Sequence, residues 1–215
     1  IHEANRAVGK AVRFLAKNSS RLYLPEGMHL EGMSPEVIRN VGYPLRKEFR
    51  RVPKERARKQ LGISLRDRLL VVLGGSQGAV ALNRWVKDNL EPLAAEGIST
   101  YCLTGMNKES SGVVKLEGLG GQPVTNRFVS FTDEMNAVLS AADLVISRAG
   151  AGAIAEIVRC RIPSILIPYP HAADNHQFLN AEYLERKGGA IVCPEDKIEE
   201  NLLDEVREVM FNEEF

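Results

Sequence analysis

Three cysteines in 215 residues, Cys102, Cys160 and Cys193, are odd in number and widely spaced, which excludes a disulfide framework. Their apolar contexts suit buried thiols in a reducing compartment. Metal-ligand patterns are also absent: His171 and His176 stand five apart, off a common helical face, and no Cys or acid cluster completes a site. The sequence contains no D-x-D, the paired carboxylates that hold a divalent cation on a pyrophosphate. No metal and no cofactor are therefore expected. No nucleophile elbow orders Ser, Asp and His into a hydrolase triad. No apolar run approaches the ~18 residues of a membrane-spanning helix. With 28 basic and 28 acidic residues the formal net charge is zero, so nothing global argues for nucleic acid as a partner.

What is present is alternation. Short apolar runs separate stretches of helical periodicity along the whole chain, the pattern of an α/β fold with a doubly wound parallel sheet. Residues 5–16 predict an opening helix, followed by strand candidates at 21–24 and 37–41. Gly42-Tyr43-Pro44 breaks the pattern, and the basic stretch that follows reads as a linker. A helix over 54–61 then starts a second unit with strands at 69–73, 99–103, 124–131, 144–147, 165–167 and 190–193. Helices are expected between them near 80–95, 107–116, 134–142, 151–160, 175–187 and 198–210. Charge is uneven: residues 46–68 carry ten Lys/Arg against Glu48, Glu55 and Asp67, and residues 195–215 carry nine acids against Lys197 and Arg207. Both blocks read as solvated faces. The chain opens on Ile1 as at the end of a strand and closes within an amphipathic pattern, as expected of a piece of a longer protein.

The most informative stretch is Asp143-Leu-Val-Ile-Ser147-Arg-Ala-Gly150-Ala-Gly152-Ala-Ile-Ala-Glu156. A buried strand that turns through glycine into a helix aims unpaired backbone N–H groups, and the positive end of a helix dipole, at one point. That is a site for phosphate. Ala153, Ile154 and Ile157 are expected on the apolar side of this helix. Glu156 shares the face of Gly152 and Ala153, one turn behind the phosphate site, where a carboxylate can accept hydrogen bonds from sugar hydroxyls. Phosphate in front and ribose behind describe a nucleotide. Two other accounts fit the same residues. An Ala/Gly-rich helix start also serves close packing on a sheet. The run Gly150 to Ala155 also fits the dinucleotide fingerprint G-x-G-x-x-G/A, which wants an acid roughly 20 positions on, at the end of the next strand. Here that strand runs into Tyr169-Pro170-His171, and no acid appears before Asp174.

Two further loops follow strands on the same side. Leu69 to Leu73 leads into Gly74-Gly75-Ser76-Gln77-Gly78, where glycines admit a ligand to the backbone and Ser76 and Gln77 supply polar groups. No Lys follows the last glycine, so this is not a Walker A loop. The run Pro168 to Gln177 is dense in side chains that can read sugar hydroxyls.

These three loops, with Glu156, His2-Glu3-Ala4-Asn5 and Gly42-Tyr-Pro-Leu-Arg46, resemble in order the motifs of the MurG family of peptidoglycan glycosyltransferases. The resemblance spans essentially the whole chain. It implies a GT-B architecture: a doubly wound, Rossmann-like donor domain over residues 54–215, a linker at 43–53, and residues 1–42 as the tail of a second Rossmann-like, acceptor-binding domain. It implies inverting, metal-independent transfer of N-acetylglucosamine from UDP-N-acetylglucosamine to lipid I at the cytoplasmic side of the bacterial membrane, reached through that second domain. Another GT-B UDP-sugar transferase, such as a diacylglycerol galactosyltransferase, or an inactive nucleotide-sugar binding module would share the donor half. By the same resemblance Gly75, Ser76 and Gln77 contact the donor, and Arg46 holds its diphosphate. The Thr132 backbone pairs with uracil. Ala151, Gly152, Ala153, Ile154 and Ala155 form the phosphate-binding helix start, Glu156 takes the ribose, and Gln177 takes the sugar. Asn5 belongs to the acceptor side. The family's amino-terminal glycine motifs and their histidine lie outside this sequence, so no catalytic base is assigned. Ala149 and Ala153 stand where some relatives carry hydroxyls, leaving phosphate to backbone donors.

Overall fold

A seven-stranded sheet divides two apolar layers in the computed structural model, which describes residues 1–47, 49–75, 78–106 and 111–212. The chain enters through helix α1 (Lys10–Ala16) and two short parallel strands, β1 (Leu22–Leu24) and β2 (Ile38–Asn40), over a small core of Val8, Ala16, Leu22, Leu24 and Leu30. Helix α2 (Lys54–Leu61) leads to β3 (Arg68–Leu73), then helices α3 (Val80–Asp88) and α4 (Leu90–Ala95) and strand β4 (Ile98–Leu103). Strands β5 (Gly112–Glu117) and β6 (Pro123–Val129) form a hairpin, followed by α5 (Met135–Ala141), β7 (Leu144–Ser147) and α6 (Ala151–Cys160). Strand β8 (Ser164–Leu166), helix α7 (His176–Arg186), strand β9 (Ile191–Val192) and helix α8 (Ile198–Phe211) complete the described chain.

Strand order is β5-β6-β4-β3-β7-β8-β9, parallel except for β5. The central strands β3, β4 and β7 are covered on both faces, which is why β3 and β7 read as apolar runs; β4, equally buried, carries Thr100, whose hydroxyl donates to the Asn126 side-chain oxygen at 2.9 Å. The resulting fold is α/β, a doubly wound Rossmann-like sheet.

Several elements differ from the sequence expectation. A helix over 107–116 does not occur: residues 112–117 are the antiparallel edge strand β5, and 107–110 lie outside the described residues. Pairing with β6 decides this, because nearly every residue of β5 is exposed and no buried face imposes a period of two. The expected helix at 80–95 is two helices, broken at Asn89. Pro92 has no N–H to continue the ladder and sits in the first turn of α4, where none is needed. The opening helix begins only at Lys10, because the buried Glu3 carboxylate accepts the N–H groups of Ala4, Asn5 and Gly9 at 2.9, 3.0 and 3.0 Å. Those bonds wrap the chain around the carboxylate.

The basic block is not wholly a solvated face. Arg58, on α2, is 2% exposed; it donates to the carbonyls of Ala141, Ser64, Leu65 and Asp67 and to the Asp143 carboxylate at 2.6 Å. Asp143 also accepts the Leu69 N–H at 2.7 Å and pairs with Lys54, so α2 is fastened to the start of β3. Phe49, in the basic connection, is buried in the same core. Within the acidic block, α8 buries Ile198, Leu202, Val206 and Val209 and turns Glu199, Glu200, Asp204 and Glu208 outward as expected, whereas Glu205 is half-buried and Glu195, before the helix, is ion-paired with Arg148. All three cysteines are buried, and burial together with nearby Glu205 pushes the Cys193 thiol up to about 12. Among the described residues no helix is long and apolar enough to cross a membrane.

Candidate functional site

From β3 the sheet grows one way through β4 and β6 and the other way through β7, β8 and β9. The loops leaving β3 and β7 therefore diverge to opposite sides, and a crevice opens at the carboxyl ends of these two strands. Leu73 and Ser147 are paired there, so the glycine loop of each strand faces its counterpart. The crevice has a volume of about 800 Å³, within the range that takes a nucleotide-sized ligand.

On the β7 side, Gly150 is extended (φ −67°, ψ 141°) and carries no side chain to cap α6. The first helical bond runs from the Ile154 N–H to the Gly150 carbonyl at 3.0 Å. The N–H groups of Ala151, Gly152 and Ala153 are thus left without helical partners at the positive end of a ten-residue helix. Gly150, Gly152, Ala153 and Glu156 line the crevice. Ala151, Ile154 and Ala155 do not; their side chains line a second hollow between α6, α7 and the amino-terminal segment. The apolar side of α6 is therefore Ile154 and Ile157, and Ala153 leaves it for the crevice. Burial pushes the Glu156 carboxyl above its ordinary value, and the Arg46 guanidinium partly offsets this. Among the described residues no hydrogen bond engages that carboxyl.

On the β3 side, Gly75 (φ +80°) and Gly78 (φ +71°) are left-handed and joined by a Gly78 N–H to Gly75 carbonyl bond of 2.9 Å. A Cβ on Gly74 would stand 2.4 Å from the Ala79 nitrogen. Gly75 lines the crevice, whereas Ser76 and Gln77 lie outside the described residues.

The remaining expected residues are distributed unevenly. Thr132 lines the crevice next to Phe131, which is 55% exposed, and its hydroxyl accepts the Glu134 N–H at 3.1 Å. Gln177 lines the opposite wall and fixes the preceding loop, its Oε1 accepting the Tyr169 N–H at 3.0 Å. Arg46 is exposed and reaches the crevice only through its charge on Glu156. Asn5 is outside the crevice, hydrogen-bonded to Asn180 of α7 at 3.1 Å.

Sequence reasoning missed Arg148 and Glu195, which also line the crevice and form an ion pair. Arg148 donates to the Ile167 carbonyl at 3.3 Å and lies 5.5 Å from the Tyr169 ring centroid. Its place beside the phosphate turn was a local signal; Glu195, 47 residues away, had none. Among the described residues no three His, Cys, Asp or Glu side chains come together as metal ligands.

Residues 69–215 match the glycosyltransferase family 28 C-terminal domain. The chain is 48% identical over 214 residues to a UDP-N-acetylglucosamine--N-acetylmuramyl-(pentapeptide) pyrophosphoryl-undecaprenol N-acetylglucosamine transferase of Opitutus terrae, covering 100% of this chain and 56% of that protein. It is 33% identical to the protein of the same name from Aquifex aeolicus, covering 99% of this chain and 60% of the relative. The crystal structure of Acinetobacter baumannii MurG superposes with a TM-score of 0.68 at 22% identity, over 99% of this chain and 57% of that one. That likeness speaks for the fold, that of a GT-B glycosyltransferase. The chain spans between a half and two thirds of the length of these relatives. With its switch-point crevice, its two glycine turns and this match over most of its length, the chain belongs to glycosyltransferase family 28, whose C-terminal domain it carries.

Proposed function

We propose that this chain is the donor-binding part of an inverting, metal-independent transferase that moves N-acetylglucosamine from UDP-N-acetylglucosamine to lipid I, giving lipid II for peptidoglycan. One observation carries the reading: at the start of α6, Gly152 and Ala153, whose N–H groups have no helical partner, line a single crevice with Glu156 one turn behind. The names of the relatives support the particular sugar and acceptor. Residues 54–215 form the donor domain, 43–53 the linker, and 1–42 belong to an acceptor domain that meets the lipid substrate and the cytoplasmic face of the membrane. Nucleic acid has no part in it.

In the reaction an acceptor hydroxyl oxygen bonds to the anomeric carbon as the bond from that carbon to the UDP oxygen breaks, on the opposite face. The hydroxyl proton passes to a base in the acceptor domain. Negative charge gathers on the departing diphosphate, where the N–H groups of Ala151, Gly152 and Ala153 and the Arg46 guanidinium offset it. Glu156 accepts from the ribose hydroxyls, exposed Phe131 offers an aromatic face to the uracil beside the Thr132 backbone, and Gln177 meets the sugar. Gly75, Ser76 and Gln77 are the donor contacts expected from the glycine loop that follows β3. Ile154 and Ala155 support the turn from behind, and Asn5 sits on the acceptor side.

Calorimetric titration of the chain with UDP, uridine and NAD, each with and without EDTA, tests the reading. UDP binds most tightly, uridine more weakly, NAD not measurably, and EDTA changes nothing. Preference for NAD, or loss of UDP binding to chelator with rescue by magnesium, overturns it.

A further inference from the structure

Asn180, on α7, is a buried polar side chain 5% exposed, and the three hydrogen bonds its amide makes all go to two distant segments. Its amide nitrogen donates to the Ala149 carbonyl at 3.1 Å and to the Asn5 side-chain oxygen at 3.1 Å. Its amide oxygen accepts the Arg6 N–H at 2.8 Å. Ala149 immediately precedes Gly150, the residue from which α6 starts. Asn5 and Arg6 lie in the segment folded around the buried Glu3 carboxylate. One turn further along α7, Tyr183 stacks beneath the Arg6 guanidinium, 3.4 Å from its ring centroid. One turn earlier, Gln177 stands in the crevice wall. A single row of α7 thus touches the amino-terminal segment, the root of the phosphate turn and the crevice.

We propose that Asn180 is a positioning residue that locks the phosphate turn of α6 to the segment His2–Gly9, so that Asn5, outside the crevice, tunes the grip on a nucleoside diphosphate. The inference rests on the crevice taking UDP. A hydrogen bond to the Ala149 carbonyl sets the plane of the Ala149–Gly150 peptide, and that plane sets the direction of the free N–H groups that follow. A buried amide with both N–H groups and its oxygen engaged favours one arrangement, because losing any of these bonds leaves a desolvated polar atom. The segment at Asn5 and the turn at Gly150 therefore move as one body, and a change imposed on either is felt by the other.

The test compares the parent chain with Asn180→Asp, Asn5→Ala and the double variant, each titrated with UDP and with uridine. Aspartate keeps the acceptor for Arg6 but turns both donations into oxygen–oxygen repulsion. Asn180→Asp should lose about tenfold in UDP affinity, and Asn5→Ala about threefold, both with less than about twofold change for uridine. The double variant should be no weaker than Asn180→Asp alone, since both changes cut one network. In amide NMR, the Gly150 and Gly152 resonances should shift in Asn5→Ala, which leaves Asn180 and its bond to Ala149 in place. Should Asn180→Asp fail to fold, Asn5→Ala carries the same two readouts. Unchanged UDP affinity in both single variants, equal losses on UDP and uridine, additive losses, or unmoved glycine resonances in Asn5→Ala overturn the coupling. A parent chain that does not bind UDP overturns the proposed function instead, so the two failures are told apart.

Discussion

The two glycine turns of the crevice look alike in sequence and are built on different physics. After β3, glycine is demanded by the backbone: Gly75 and Gly78 are left-handed, and Gly74 lies against the Ala79 nitrogen where no Cβ fits. After β7 neither glycine has a positive φ, and Gly150 has open space around its missing Cβ. Gly152 is flanked by the Tyr43 hydroxyl, 3.2 Å from where a Cβ would stand. The first turn thus needs glycine to exist at all. The second uses small residues so that a ligand can reach three N–H groups. Damage to the first should appear in folding, and damage to the second in binding.

Gly74→Ala should sharpen this contrast most. A Cβ 2.4 Å from a backbone nitrogen cannot be relieved by a side-chain rotation, so the loop itself must move. A loss of about 2–4 kcal/mol in urea denaturation is expected, the scale of backbone strain with repacking, accompanied by weakened UDP binding. Glu156→Ala, behind the second turn, should leave the denaturation midpoint nearly unchanged and weaken UDP binding by about 1.5–3 kcal/mol, as for hydrogen bonds to a charged group. Calorimetry beside the denaturation curve separates the two variants, and a Glu156→Ala chain with parental UDP affinity would refute the ribose contact.

Acidification probes the same carboxylate more gently. Burial raises the Glu156 pKa and Arg46 partly offsets it, so protonation removes the acceptor at a higher pH than an ordinary carboxyl would. UDP affinity should begin to fall before the usual carboxylate range is reached, and Glu156→Gln should abolish that limb of the titration. Stability of the unliganded chain responds with the opposite sign. A carboxyl raised in the folded state contributes stability that is full below its unfolded pKa and lost as pH rises through the folded pKa. Thermal unfolding against pH, parent beside Glu156→Gln, reads that difference. The smallest effect belongs to Gly150→Ala. With an ordinary φ and nothing within 4 Å of the new Cβ, it should cost no more than about 1 kcal/mol in urea denaturation, the difference between Gly and Ala at a helix N-cap.

Legibility in the sequence followed the range of the forces involved. The strand Leu144–Ser147, the helix starting at Ala151 and the shared face of Gly152, Ala153 and Glu156 were readable, because strand burial and helical periodicity are written in consecutive residues. The edge strand 112–117 was misread as helix, because a strand exposed along its length leaves no burial pattern, and its pairing with β6 decides its conformation. Arg58 was indistinguishable from its basic neighbours, although among the described ones it alone is buried, donating from α2 to Asp143, 85 residues away.

The sequence by itself determined the α/β class, the two glycine turns at strand ends, and a phosphate-shaped helix start with a carboxylate behind it. Each is a local consequence of spacing, since apolar period, glycine and helix geometry act within a turn or two. That both turns face one crevice follows from their places at strand ends; only the tertiary structure decided that the two strands are direct neighbours, with Leu73 paired to Ser147. It alone brought Glu195 to Arg148 and Asn5 to Asn180, and sent Ala151, Ile154 and Ala155 away from the crevice to a second hollow. Those outcomes depend on which strand crosses to which side of β3 and on hydrogen bonds between residues far apart in the chain. No local period encodes a partner at that distance, so only packing the whole sheet selects it.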